Sequence, residues 1–422
     1  MNWEDKISDR AKIIKPSGIR KFFDLASQME GVISLGVGEP DFTTPWSIRE
    51  AAIYSIEKGR TFYTANRGLI ELRREICKYY ERKYNVTYNP EKECIVTVGG
   101  SEGIDIAIRA ILNPGDEMIV LDPGYVAYTP GVELSGGIPV PLTLRHEDEF
   151  KLTPELLKSA ITPKTKAILL NFPCNPTGGF MTREDYAKIV PILKESGIII
   201  ITDEIYAELS YEEEFCSIAS FDEVKDQCIV INGFSKAYAM TGWRLGYVLS
   251  NPIFSAAMTK IHQYIIMSAP TPAQYGALEG LKHCDDEVEK MRESYRARRN
   301  FLVKTFNDMG LETFKPQGAF YVFPCIKSTG LTSDEFCEKL LNDQKVACVP
   351  GTAFGKAGEG FIRVSYAYSL EELKRKIVES GILEYDTAFM NLDLLTITGK
   401  ADIARSFYFE AIDLMKEKNK KL

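Results

Sequence analysis

Histidine is scarce in this chain of 422 residues: only His146, His262 and His283 occur. Their spacing offers no H-E-x-x-H helix and no comparable ligand pair, so zinc and haem chemistry have little to stand on. Close cysteine pairs are missing too. The nine cysteines lie at least eleven positions apart, which excludes a C-x-x-C motif. An odd number scattered through apolar segments reads as free, buried thiols of a reducing compartment. No apolar run reaches the roughly 18 residues that a membrane span needs. The burst Ile198–Ile201 stops at Asp203. The opening Met1-Asn2-Trp3-Glu4-Asp5-Lys6 is charged and lacks a leader's apolar stretch. A basic surplus is absent as well. Lys plus Arg number 51 and Asp plus Glu 59, a net charge of −8. That balance speaks against a general binder of nucleic acid or anionic membrane. The expectation is a cytoplasmic protein with neither partner.

What is present is ordinary globular composition, 45% apolar and 26% charged. The length suits two or three domains with a core that needs no staples. From about residue 47 to 280, apolar runs alternate with amphipathic stretches. The runs Cys94–Val98, Met118–Leu121, Ala167–Asn171, Ile198–Thr202, Cys228–Asn232 and Gly246–Leu249 read as strands. Several are continuous and bounded by Gly, Pro, Asn or Asp, the pattern of strands buried on both faces with helices between them. This predicts an α/β domain with a mostly parallel sheet, placed at 47–281. Beyond it, Asp285–Met309 reads as a long charged helix, Ala319–Phe323 and Phe361–Ser365 as short strands, and a further helix begins at Leu370. Residues 1–46 and 282–422 are expected to form a smaller α+β domain.

Ligands of parallel sheets sit at the carboxyl ends of the strands, so the residues after each strand carry the functional signal. After the first comes Gly99-Gly100-Ser101-Glu102-Gly103. A glycine-rich strand-to-helix turn exposes backbone N–H groups to an anion such as phosphate. The same residues also spell the G-x-S-x-G nucleophile elbow, and they could be a plain tight turn. Asp122-Pro123-Gly124-Tyr125 and the loop from Phe172 to Gly178 with Asn175-Pro176 follow the next two strands. Asp203-Glu204-Ile205-Tyr206 follows an Ile-rich strand, where a carboxylate is costly unless paired, although Asp203 would also serve as a helix N-cap. Ser235-Lys236 and Arg244 follow the fifth. A lysine at that depth is either a snorkelling stem or a desolvated, nucleophilic amine.

Two chemistries use these strand ends. A serine hydrolase would take Ser101, Asp203 and His262 in the required chain order, but leaves Lys236, Arg244 and the Asn175 turn without a role. Pyridoxal-phosphate chemistry needs a Schiff-base lysine, a carboxylate for the pyridine nitrogen, a phosphate cup and a stacking ring. Lys236, Asp203, the Gly100–Gly103 turn with Ser235 and Arg244, and Tyr125 supply all four.

With those residues the chain resembles the class I/II aminotransferases of pyridoxal-phosphate fold type I. The matching stretches are Gly36-Val37-Gly38-Glu39-Pro40-Asp41-Phe42, Tyr63-Thr64-Ala65-Asn66-Arg67-Gly68, Asn175-Pro176-Thr177-Gly178, Asp203-Glu204-Ile205-Tyr206, Ser235-Lys236 through Arg244, and Phe361-Ile362-Arg363-Val364-Ser365. They occur in family order, and the chain is most similar to the prokaryotic subgroup assigned to aspartate, aromatic amino acids or acetyl-diaminopimelate. The resemblance implies a seven-stranded sheet sandwiched by helices, pyridoxal 5'-phosphate as cofactor, and transfer of an α-amino group to a 2-oxo acid. A pyridoxal-dependent C–S β-lyase is the alternative on the same residues.

The resemblance also implies roles. Lys236 would hold the cofactor and shuttle the substrate's α-proton. Asp203, with a pKa depressed by a nearby cation, would keep the pyridine nitrogen protonated. Asn175 and Tyr206 would bond the ring's phenolic oxygen, and Tyr125 would stack on the ring. Gly100, Ser101, the Glu102 backbone, Ser235 and Arg244 would bind the phosphate. Arg363 would clamp the substrate α-carboxylate, helped by Gly38 N–H and the Asn175 amide, with Tyr125 beside the substrate. Tyr63 would reach the partner's phosphate in a homodimer. Two departures stand out. Ser101 occupies a position where some acid-specific members carry lysine. In addition, the 37 residues after Tyr385 exceed the family's length, with Ala401–Lys418 reading as an amphipathic helix.

Overall fold

The computed structural model describes residues 2–16, 18, 19 and 29–373. The helix expected over Ala401–Lys418, and all of the extension after Tyr385, lie outside them. The centre of the molecule is a seven-stranded sheet. Its strands are β2 (Cys94–Thr97), β3 (Glu117–Asp122), β4 (Ile138–Thr143), β5 (Thr165–Asn171), β6 (Ile199–Asp203), β7 (Cys228–Gly233) and β8 (Gly246–Ser250), in the spatial order β2-β8-β7-β6-β5-β3-β4. A preceding strand, β1 (Ile33–Ser34), lies elsewhere.

Alternation explains why the central strands read as unbroken apolar runs. Ala167, Leu169, Ile201, Ile229 and Ile231 point into one core, shared with Ile104 and Ile108 of the helix Gly99–Ile111. Their neighbours Ile168, Leu170, Ile200 and Val230 point into the other, shared with Leu72 and Ile76 of the helix Ile70–Tyr84 and with Ile189 of the helix Arg183–Ser196. Both faces are therefore covered, which requires apolar side chains at every position.

Two features depart from the sequence reading. Strand β4 was not expected. Among the described residues it pairs only with β3; it is half-exposed and carries Pro139 and Pro141, which an edge strand tolerates because one side of its backbone needs no partner. Strand β8 runs antiparallel to both neighbours, with Gly233 of β7 opposite Gly246 of β8. The chain leaves and re-enters the sheet at the same end, so residues 234–245 hang over the carboxyl ends of the parallel strands.

The remaining strands are short: β9 (Tyr321–Val322), β10 (Val346–Ala347), β11 (Val349–Pro350) and β12 (Ile362–Ser365). Strand β1 pairs with β10, and β12 lies between β11 and β9, joining the two segments expected to be strands. The long helix spans Asp285–Asp308 as expected, and residues 370–373 are helical. The N-terminal segment joins this part of the molecule: Ser365 N–H donates to Leu35 O at 2.7 Å, and Arg298 Nη1 meets Asp41 Oδ1 at 2.7 Å. No helix among the described residues is long and apolar enough to cross a membrane.

Candidate active site

The carboxyl ends of β2, β3, β5, β6 and β7 converge on one cavity. Gly100, Ser101, Tyr125, Asn175, Asp203 and Tyr206 line it, together with Ser235, Lys236 and Arg244 from the β7–β8 connection. Gly38 from the N-terminal segment and Arg363 from β12 close its far side. Two sequence-predicted residues lie outside the lining. Tyr63 is 80% exposed, and the Glu102 side chain turns away to His262.

Asp203 is buried at the end of β6. Its Oδ2 accepts from Tyr128 Oη at 2.8 Å, and its Oδ1 accepts from Ile205 N–H at 3.1 Å. Burial raises this carboxyl to about 6, although both hydrogen bonds and the Lys236 charge pull the other way. The expected depression is thus reversed, because the protein's own groups do not offset the loss of water around the carboxylate. Tyr128 escaped the sequence reading. Its position three residues after Tyr125, at the start of the helix Tyr128–Leu134, was the available signal.

Lys236 Nζ donates to Gly38 O at 2.8 Å. Burial lowers its pKa to about 8; Glu39 opposes this shift, while Arg363 and Arg244 add to it. This contact uses the carbonyl of Gly38, a different group from the N–H expected to help orient a substrate carboxylate. A Cβ at Gly38 would come within 2.6 Å of Tyr321 Oη, so a side chain there would have to displace that hydroxyl.

Arg363 is 2% exposed and has no carboxylate partner among the described residues. Its Nη1 donates to Asn175 Oδ1 at 2.8 Å and its Nη2 to Gly36 O at 2.6 Å. Its guanidinium lies 4.4 Å from the Tyr321 ring centre and 4.7 Å from that of Phe354. Its Nε is buried without a partner among the described residues. A buried cation held only by neutral acceptors, with a donor unspent, is a ready receptor for an anion. Asn175 therefore props the arginine, and Tyr206 Oη bonds Tyr321 Oη at 3.0 Å. Tyr321 was also missed; it lies in a segment expected only to be a strand.

At the opposite wall the helix Gly99–Ile111 begins at the cavity. Gly99 has φ +75°, and a Cβ there would meet Arg244 Nη2 at 2.7 Å. Arg244 itself has φ +52° and donates from Nη1 to Thr241 O at 2.9 Å. A non-glycine residue held in that region is uncommon, and such backbone outliers cluster at functional sites. The helix start, Ser101, Ser235 and Arg244 form a wall of donors suited to a phosphate.

The hydrolase arrangement is overturned. His262 Nδ1 lies 2.7 Å from Glu102 Oε1 and its Nε2 2.8 Å from Asn66 O, while Asp203 is bonded to Tyr128. The histidine thus has both nitrogens engaged away from Ser101, so no serine–histidine–aspartate relay exists.

Residues 30–379 match the family model described as aminotransferase class I and II. The chain is 54% identical over 88% of its length to the Bacillus subtilis (strain 168) protein YugH, provisionally named an aminotransferase, and covers 96% of it. It is 45% identical to an aspartate aminotransferase of Pyrococcus abyssi, over 87% of this chain and 95% of the relative. The crystal structure of an aromatic aminotransferase from Pyrococcus horikoshii OT3 superposes with a TM-score of 0.82 at 41% identity, covering 86% of this chain and 98% of that one.

Proposed function

Because the chain belongs to the class I and II aminotransferase family, we propose that its cavity holds pyridoxal 5'-phosphate and moves the α-amino group of an amino acid to a 2-oxo acid. The observation that carries this reading is the convergence of a desolvated lysine amine, a buried carboxylate and an unsaturated buried arginine in one cavity. The residues fit the group: the donor wall at the helix start suits its phosphate, Tyr125 its ring face, Asp203 its pyridine nitrogen, and Lys236 its aldehyde carbon. When bound, the cofactor supplies that aldehyde and an electron-withdrawing ring.

The chain's own residues do the rest. Arg363 receives the substrate α-carboxylate through Nε and Nη2, exchanging the Gly36 carbonyl for a charge-assisted pair. Asn175, already bonded to that guanidinium, fixes its plane. Lys236, at about 8, is unprotonated roughly a tenth of the time at pH 7, far more than an ordinary lysine, and can take a proton from a substrate Cα and return it. Asp203, at about 6, is ionised at pH 7 and holds a proton on an adjacent ring nitrogen. Tyr206, its hydroxyl bonded to Tyr321, sets the polarity beside Lys236.

Relatives named for aspartate and for aromatic substrates leave the donor within the broad class of 2-amino acids. Ser101 in place of lysine favours donors without a second carboxylate. We take 47–281 as the cofactor-binding unit and 1–46 with 282–422 as the smaller one, a homodimer in which Tyr63 reaches the partner's site, and a cytoplasmic location. Supporting the last is the array of free cysteines. The test is an absorption spectrum of the loaded protein with single amino acids and no oxo acid. Conversion of the yellow band to pyridoxamine phosphate absorption is expected. A band that persists while cystathionine releases pyruvate and ammonia would replace transamination with β-elimination.

A further inference from the structure

His262 belongs to the helix Pro252–Ile265 and is fully buried. Its Nε2 faces the Asn66 carbonyl oxygen at 2.8 Å. A carbonyl has no proton to give, so Nε2–H donates. Its Nδ1 faces Glu102 Oε1 at 2.7 Å. Two bare acceptors would repel at that distance, so a second proton lies between them. The other carboxylate oxygen, Oε2, accepts from Val98 N–H at 2.5 Å. Imidazole and carboxyl together thus carry no net charge, wherever the shared proton rests.

Glu102 sits in the first turn of the helix Gly99–Ile111, whose Gly100 and Ser101 line the cavity. A bare carboxylate there would cancel the positive end of the helix and repel an anion bound at it. We propose that His262 is a positioning residue for the cofactor's phosphate: it neutralises Glu102 at the anion-binding helix start and, through Asn66, holds the segment bearing Tyr63 against that start. The inference rests on the phosphate-site assignment above. A purely packing role would need neither a partner on both ring nitrogens nor a carboxylate beside an anion site.

The experiment is absorbance titration of cofactor-free protein with pyridoxal 5'-phosphate, with inorganic phosphate as competitor. His262→Gln is expected to raise the cofactor Kd about tenfold or more, since it leaves the largely buried Glu102 carboxylate with its full charge. Inorganic phosphate should weaken in parallel. Adding Glu102→Gln to that variant removes the stranded charge and is expected to return the Kd to within about threefold of wild type. An unchanged Kd in His262→Gln overturns the inference, and so does a double variant no tighter than the single one. If circular dichroism shows the single variant unfolded, the double variant decides alone: near-native affinity supports the inference and lost affinity overturns it. Failure of the unaltered protein to take up the cofactor overturns the phosphate-site reading itself, and this inference with it.

Discussion

Burial moves Lys236 and Asp203 away from their charged forms in opposite directions, the amine down to about 8 and the carboxyl up to about 6. For Asp203 the consequence is a stability cost. Between its ordinary 3.8 and about 6 the folded chain binds the proton more tightly than the unfolded chain, so stability falls as pH rises through that window. The cost persists at neutral pH, where the role proposed for Asp203 uses the carboxylate. For Lys236 the consequence is kinetic. Only the unprotonated amine attacks an aldehyde. The rate of cofactor uptake by cofactor-free protein should climb about tenfold per pH unit on the acid side and level off near pH 8. Stopped-flow absorbance across pH 6–10 measures this. A rate still climbing steeply at pH 10 would mean that the amine is not desolvated. Both residues were legible from position alone, as charges directly after buried strands. The direction of the Asp203 shift was not, because it depends on how much water the fold excludes.

At the scale of elements, the donor wall depends on how closely β8 passes the start of the helix Gly99–Ile111. A Cβ on Gly246 would lie 2.6 Å from Gly99 C and 2.7 Å from Gly100 N, both backbone atoms. Nothing flexible can yield there. Gly246→Ala is therefore expected to destabilise by about 1–3 kcal/mol, the usual range for overpacking, and to weaken cofactor binding. The urea midpoint at unchanged slope reports the first effect. Wild-type stability in that variant would mean that β8 is free to move from the helix start. The direction of β8 was invisible in the sequence, since an apolar run carries no sign of parallel or antiparallel pairing. The edge strand β4 was hidden for another reason: its prolines and half-exposed side chains break the run that marks buried strands.

Across the whole molecule, exposed aromatic residues gather where a partner is expected. Phe62 is 83% and Tyr264 87% exposed, and their segments are joined by Asn66 Nδ2 donating to Met267 O at 2.9 Å. Large exposed apolar side chains on joined segments are what an interaction surface would cover. If Tyr63 crosses to the second site of a homodimer, each of two inactive variants supplies what the other lacks. Lys236→Ala and Tyr63→Ala chains, unfolded together and refolded as an equal mixture, should regain about a quarter of the wild-type active sites. Activity of the mixture no greater than the sum of the separate variants would place Tyr63 in its own protomer's site or in none. Sedimentation of the same samples reports the dimer itself.

The amino-acid sequence by itself determined the sheet's buried strands and the chemistry at their ends. Both are local: a two-sided strand must be apolar throughout, and its terminal Asp203 or the following Lys236 is conspicuous against that background. Only the tertiary structure decided that Arg363 keeps an unpartnered Nε, that Tyr128 holds Asp203, and that His262 answers Glu102 rather than Ser101. Each of these joins residues 75 to 160 positions apart or leaves a donor unmatched in three dimensions. Hydrogen-bond geometry of that kind is set by packing, and no periodicity along the chain encodes it.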